Sequence, residues 1–107
     1  MTICDTERIL AAAEPLTGKW KLELLARLSS SPARWNELVK SFPEAAPNVL
    51  TRQLKELERE GLVRRVDHSS KPPKVVEYRL TEAGEQYIPF LSAVEAWHLR
   101  WQQEAAV

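Results

Sequence analysis

Polar and basic side chains between residues 48 and 59 recur with the spacing of one helix face. At about 100° per residue they fall within an arc of about 100° that holds no acidic residue. They are Asn48, Thr51, Arg52, Lys55 and Arg59. Leu50, Leu54 and Leu57 recur on the opposite side, where they can pack on a core. The outer groups can donate hydrogen bonds and attract an anionic partner, although a plain solvated surface has the same pattern.

The residues after this helix predict a basic hairpin. A glycine ends the helix in a manner typical of a left-handed cap. Residues 62–67 and 75–80 then favour two antiparallel strands. The connecting loop carries Lys71 and Lys74 on either side of two prolines. Such a stiff cationic loop can follow a phosphate backbone or enter a minor groove, and by itself it also resembles an ordinary exposed loop.

Several further helices must position this helix and hairpin. The patterning predicts helices over residues 5–14, from residue 18 onward, over 34–42 and over 47–60. Thr81 is expected to cap a last helical region, which Pro89 should break. We therefore predict a mainly α fold with a small β-hairpin, in one domain with five or six helices. The helix at 47–60 followed by a loop at 67–75 is typical of a winged helix-turn-helix.

Charge is unevenly distributed in this chain of 107 residues, although its net formal charge is zero. Residues 47–80 hold eight Lys and Arg against five Asp and Glu, whereas residues 81–107 hold one against four. Because phosphate attraction depends on local clustering, the zero total does not exclude nucleic acid as a partner. The sequence lacks a membrane-spanning apolar run and a secretory leader, which predicts a cytoplasmic protein without a membrane partner.

Residues suited to catalysis are few. We find no nucleophile–base–acid set, no P-loop and no Gly-rich nucleotide fingerprint. His68 and His98 are isolated, and with the single Cys4 they lack the spacing of a zinc site. We therefore expect no enzyme activity, no cofactor and no metal.

The helix at 47–60 has side chains suited to reading DNA. A helix fits the major groove, and residues early in such a helix reach the base edges. Arg52 is expected to pair with guanine, and Asn48 or Gln53 with adenine, whereas Lys55 and Arg59 should contact phosphates. The alternative is a winged-helix module that binds another protein without DNA. Steep salt dependence of duplex binding would separate the two hypotheses.

Six short segments, in this order, resemble the HxlR family of winged helix-turn-helix regulators, relatives of the MarR type. The segments are Gly18-Lys19-Trp20, Arg34-Trp35-Asn36-Glu37-Leu38, Leu50-Thr51-Arg52-Gln53-Leu54-Lys55-Glu56-Leu57, Gly61-Leu62-Val63, Pro72-Pro73-Lys74-Val75-Val76-Glu77-Tyr78-Arg79-Leu80-Thr81 and Gly84. The resemblance spans residues 4–101 of the sequence, and Trp97 falls where the family places a tryptophan in its last helix.

The resemblance implies a homodimeric bacterial transcription factor that binds double-stranded DNA at a pseudo-palindromic operator. It implies a DNA-binding core at 18–80, with the first and last helices (1–15 and 82–107) forming most of the dimer interface. Thr51, Arg52 and Lys55 would lie in the groove. Arg34 would lie near the DNA backbone, and Lys71 and Lys74 would lie on the wing.

Apolar residues near both ends of the chain support the dimer. Trp97 and Trp101 lie four residues apart beyond the compact unit, and large apolar groups there need a cover. A second copy can supply that cover through a symmetric contact, and the alternative is that they fold back on their own domain. The predicted dimer contacts are Ile9, Leu10, Leu91, Val94, Trp97 and Trp101.

The chain departs from the family pattern in a few places. Ala46 stands where a capping serine is usual, and Trp35 stands where a phenylalanine is usual. Some members of the family sense electrophiles or oxidants through an N-terminal cysteine, and Cys4 lies in that neighbourhood. Asp5 replaces the proline that normally follows this cysteine. A redox sensor and an idle thiol therefore both stay open for Cys4, and any small-molecule or oxidant effector is unidentified.

Overall fold

Five α-helices, one 3₁₀ turn and three short β-strands build the part of the chain that the computed structural model describes, residues 5–105. The helices are α1 (Thr6–Ala13), α2 (Lys21–Ser30), α3 (Trp35–Ser41), α4 (Pro47–Arg59) and α5 (Glu82–Ala105). The strands are β1 (Ala33–Arg34), β2 (Val63–Asp67) and β3 (Val76–Leu80), and the 3₁₀ turn, Glu14–Leu16, follows α1. This mainly helical fold with a small sheet confirms the predicted fold class.

Leucine side chains from three helices form the centre of the core. The fully buried ones come from α2, α3 and α4: Leu24, Leu25, Leu38, Leu50, Leu54 and Leu57. Burial of one leucine side chain stabilises a fold by about 2 kcal/mol. The three leucines of α4 therefore hold its inner face against the core and leave the opposite face outside.

The sheet is antiparallel throughout, with the strand order β1-β3-β2. Pairing of β2 with β3 confirms the predicted hairpin. The third strand, β1, was not predicted, because a strand of two residues contains no alternation that a sequence can reveal. Ala33 of β1 pairs with the buried Tyr78 of β3, so the start of α3 is joined to the hairpin.

The junction between α4, β2 and α5 is held by backbone contacts. Gly61 ends α4 with φ +78°, in the left-handed region predicted for it. The Thr81 hydroxyl accepts a hydrogen bond from the Gly84 N–H at 3.0 Å and donates one to the Gly61 carbonyl at 2.6 Å. A Cβ on Gly84 would lie 2.1 Å from the Leu62 carbonyl oxygen. The first turn of α5 therefore sits in direct contact with the chain that leaves α4.

Helix α5 is longer than expected. The predicted break at Pro89 is wrong, because α5 runs through it as one helix of 24 residues. The proline lacks the N–H that would have bonded the carbonyl of Glu85. Both residues are exposed, so water can hydrogen-bond to that carbonyl. Residues 92–104 are all exposed, so the second half of α5 extends beyond the core. Among the helices described, none combines the length and apolarity needed to cross a membrane.

Candidate nucleic-acid interface

Helix α4 turns its leucines to the core and its basic side chains outward, as predicted. Asn48, Arg52, Lys55 and Arg59 are exposed, and Thr51 is half-buried. The adenine contact predicted for Gln53 is wrong, because this side chain is only 7% exposed. The turn at Gly18 covers it: a Cβ on that glycine would lie 2.8 Å from Gln53 Oε1.

The six cations predicted to contact DNA are all exposed: Arg34, Arg52, Lys55, Arg59, Lys71 and Lys74. Within residues 5–105, none of them lies within 4.0 Å of a carboxylate oxygen. No carboxylate of the described residues therefore neutralises any of them by direct contact. A phosphate would not have to displace an internal counterion from any of them.

A cleft of about 730 Å³ lies between α4 and the hairpin. Its charged and polar lining includes Arg34, Thr51, Lys55, Glu58, Arg65 and Lys74. Arg65 was not predicted as part of the site. It enters through the hairpin register, which places it opposite Tyr78 on the side of β2 that faces α4. Glu58 shares the cleft with Thr51, because seven residues return a helix to within about 20° of the same face.

Glu56 and Glu60, the other two acidic residues of the 47–60 segment, pair with Lys21 on the flank of α4. Lys21 Nζ donates to Glu60 Oε1 at 2.7 Å and lies 3.0 Å from Glu56 Oε2. The hydrogen bond and charge of Lys21 lower the pKa of Glu56. Burial opposes the charged form of Lys21, but its bonds to Glu60 and Glu56 outweigh that effect and raise its pKa. Each carboxylate thus has Lys21 as an ionic partner, while Glu60 Oε2 is buried without a hydrogen-bond partner in the described chain. Pairing with Lys21 reduces the extent to which the two carboxylates compete with phosphate for Arg52 and Arg59.

The wing loop is closed by local hydrogen bonds. The His68 N–H donates to the Val75 carbonyl at 2.8 Å, which continues the hairpin beyond its paired strands. The Ser69 hydroxyl and N–H donate to Asp67 Oδ1 at 2.5 and 2.9 Å and lower the pKa of that carboxyl group. These bonds fix the base of the loop that carries the two wing lysines.

The start of α4 has two features that bear on base recognition. Ala46, the N-cap residue, makes no side-chain hydrogen bond, as expected from the missing serine. The Thr51 hydroxyl donates to the Pro47 carbonyl at 3.0 Å. Because its proton is used in this bond, the Thr51 hydroxyl would act toward a partner as a hydrogen-bond acceptor.

The predicted dimer residues divide into two groups. Ile9, Leu10, Val94, Trp97 and Trp101 are exposed, with Leu10 and Trp97 reaching 65% and 64%. Leu91 is half-buried and packs against the domain's own core, so it is a weaker candidate for a contact with a second copy. Phe90, which was not predicted from the sequence, is also exposed beside this stripe. Cys4 lies outside the described residues.

The two histidines lie in different elements of the fold. His68 Nε2 lies 3.5 Å from Glu77 Oε1 at the base of the wing, whereas His98 is exposed on α5. In residues 5–105, no group of three or more His, Cys, Asp or Glu residues is arranged to hold a metal ion.

Comparisons with known proteins agree with this architecture. A family model for HxlR-like helix-turn-helix proteins matches residues 15–106. YdeP of Bacillus subtilis, described as an uncharacterized HTH-type transcriptional regulator, is 42% identical over 94 residues, which cover 88% of this chain and 70% of YdeP. The structure of a MarR-family transcriptional regulator from Enterococcus faecalis matches with a TM-score of 0.84 and 33% identity, covering 99% of this chain and 96% of that one. The reduced form of the redox regulator HypR matches with a TM-score of 0.76 and 32% identity, covering 84% and 88%. The chain therefore belongs to the HxlR-like helix-turn-helix family of transcriptional regulators.

Proposed function

We propose that this regulator binds a specific double-stranded DNA operator as a homodimer, with α4 in the major groove and the wing on the backbone or in the adjacent minor groove. The observation that carries the proposal is the set of six exposed cations that have no carboxylate partner within the described chain. Exposed cations without an internal carboxylate partner are suited to binding a polyanion such as DNA.

The dimensions and residue types of α4 support this placement. A helix with its side chains is about 10–12 Å across, and the major groove is about 12 Å wide. Asn48, Thr51 and Arg52 lie in the first half of α4, where residues that reach base edges are found in helix-turn-helix proteins. Lys55 and Arg59 follow, and with the two wing lysines they would contact phosphates.

The exposed apolar residues of α1 and α5 support the homodimer. Trp97 and Trp101 lie on the projecting half of α5, and Ile9 and Leu10 are exposed on α1. Apolar groups of this size are costly to leave in water, and an identical copy would bury them in a self-complementary contact. Two-fold symmetry would place two copies of α4 in half-sites about 34 Å apart on the DNA.

Selection of bound sequences from a random pool of duplexes tests the proposal. We expect a palindromic consensus whose half-sites lie about one helical turn apart. Binding to that consensus should weaken steeply as salt rises, because counterions are released from DNA. Absence of any salt-dependent duplex binding would favour the alternative, a winged-helix module that binds only protein.

We also propose that the regulator responds to oxidants through Cys4. Two observations support this part: the chain has a single cysteine, and HypR, which resembles the chain in fold and sequence, is a redox regulator. In the sequence, Cys4 precedes α1, the helix that carries Ile9 and Leu10 of the proposed dimer contact.

A further inference from the structure

Lys21 is a buried lysine at the first position of α2. Its side chain is 3% exposed, and both of its ionic partners belong to the recognition helix region: Glu56 at 3.0 Å and Glu60 at 2.7 Å. Burial of an ammonium group is costly unless it is paired and hydrogen-bonded. The two carboxylates meet that need, so Lys21 and the end of α4 must keep their relative position.

The two carboxylates lie one helical turn apart on the flank of α4, between the leucine stripe and the exposed cations. The hydrophobic driving force is not directional, so burial of the leucines fixes which side of α4 faces the core more strongly than it fixes small rotations of the helix. Charge-assisted hydrogen bonds are short and directional. A double link from α2 to one flank of α4 therefore opposes rotation of α4 about its axis.

A second contact lies beside the first on the same flank. Gly18, with φ +93°, approaches Gln53 so closely that a Cβ there would lie 2.8 Å from the amide oxygen. The turn before α2 thus contacts Gln53, and the first residue of α2 contacts Glu56 and Glu60, so the three contacts span two helical turns. This geometry defines the angle at which the opposite face of α4 is presented.

We propose that Lys21 is a positioning residue for DNA recognition: its paired link to Glu56 and Glu60 sets the rotation of α4 and so determines which base edges Asn48 and Arg52 can reach. The inference rests on the proposed DNA-binding function. Lys21 itself points away from the cationic face and would not contact DNA.

The geometry of a helix indicates how sensitive recognition would be to the loss of this link. The outer surface of a helix lies about 5–6 Å from its axis, so a rotation of about 10° moves it by about 1 Å. The donor–acceptor distances of good hydrogen bonds span only about 0.5 Å. Phosphate attraction falls off slowly with distance and would tolerate the same shift. Loss of the link should therefore harm base recognition more than general DNA affinity.

The experiment compares Lys21→Met with the matched control Lys19→Met. The control removes the same charge, but from an exposed side chain two residues earlier in the sequence. Dissociation constants are measured for the selected operator and for a scrambled duplex of equal length. Measurements are made at one salt concentration and at a temperature where circular dichroism shows every variant folded. The readout is the ratio of the two constants, which a loss of stability alone would not change.

We expect Lys21→Met to reduce this ratio by about tenfold, with scrambled-duplex binding unchanged, and Lys19→Met to leave the ratio as it is. If Lys21→Met does not fold, Glu60→Gln replaces it, since the amide keeps the volume and weakens the link, and the expected reduction is about threefold. A folded variant with the wild-type ratio, or with equal losses on both duplexes, overturns the positioning role alone. A wild-type protein that binds neither duplex overturns the proposed function and this inference together.

Discussion

The wing makes the sharpest quantitative prediction. Lys71 and Lys74 are exposed and without a carboxylate partner in the described chain. They stand on a loop whose base is closed by hydrogen bonds of His68 and Ser69. Their replacement by glutamine keeps much of each side chain and removes two positive charges per protomer. If both lysines contact phosphate, a dimer loses four such contacts.

Counterion release sets the size of the effect. Each phosphate contact contributes about 0.9 to the slope of log K against log salt concentration. The double variant should therefore show a slope shallower by about 3 to 4. At about 0.1 M salt each unit of slope is worth about a tenfold change in affinity, so the upper limit of the loss is on the order of a thousandfold to ten-thousandfold. Operator and scrambled duplex should lose affinity alike, because phosphate contacts carry no sequence information.

Fluorescence anisotropy over a series of salt concentrations measures both quantities on labelled duplexes. Lys19→Gln serves as the control, since Lys19 is exposed but lies in the turn that packs behind α4, and its slope should match the wild type. An unchanged slope in the Lys71 and Lys74 variant would remove the wing from the interface. A loss confined to the operator would instead mean that the wing reads bases.

The remaining predictions concern base reading, assembly, redox response and stability. Arg52→Ala should cost about 1–3 kcal/mol at the preferred operator and relax selectivity at one base pair per half-site; unchanged affinity in a filter-binding assay would place Arg52 outside the groove. Trp97→Asp should convert a micromolar dimer into a monomer by sedimentation, and a persistent dimer would refute the α5 contact. Mild oxidant should release the operator from the wild type but not from Cys4→Ser, whereas equal release would make the thiol a bystander. The pKa of Glu56 is lowered in the fold and that of Lys21 is raised. Their ion pair therefore stabilises the fold at pH values above the usual carboxyl pKa and below the usual lysine pKa. Urea unfolding should therefore show stability falling as acid protonates Glu56 and as alkali deprotonates Lys21, and Lys21→Met should flatten both limbs.

Much of the fold could be predicted from local sequence patterns. The leucines of α4 have the helical period, so its position, its buried side and its outward cations all followed from spacing, and each is confirmed. The hairpin followed from two strand-like runs joined by a polar loop, and the helix end at Gly61 from its freedom to adopt positive φ. These features depend on residues that are neighbours in sequence, which is why the sequence could predict them.

Features that depend on distant residues could not be predicted. Strand β1 forms because it pairs with the edge of β3. Lys21 can be buried because it is paired with Glu56 and Glu60, which are distant from it in sequence. From sequence alone Lys21 looks like any charged residue at the start of a helix. Arg65 likewise joins the cleft only through the register of the hairpin.

A protein with zero net charge can still present a strongly basic surface if its acidic residues are paired with other groups or lie elsewhere on the molecule. Glu56 and Glu60 are paired with Lys21 on the inner flank of α4. Glu82 and Glu85, in the first turn of α5, line a separate groove together with Arg64 and Arg79. Charges separated by more than a Debye length, about 8–10 Å at physiological salt, are largely screened from one another. A duplex approaching α4 would therefore respond mainly to the unpaired cations closest to it, with Glu58 as the one acidic side chain of the cleft among the residues described. Glu58→Gln should accordingly tighten binding to DNA of every sequence. Because only nearby charges act on the duplex, the local pairing of charges is a better guide to DNA affinity in this regulator than its total charge.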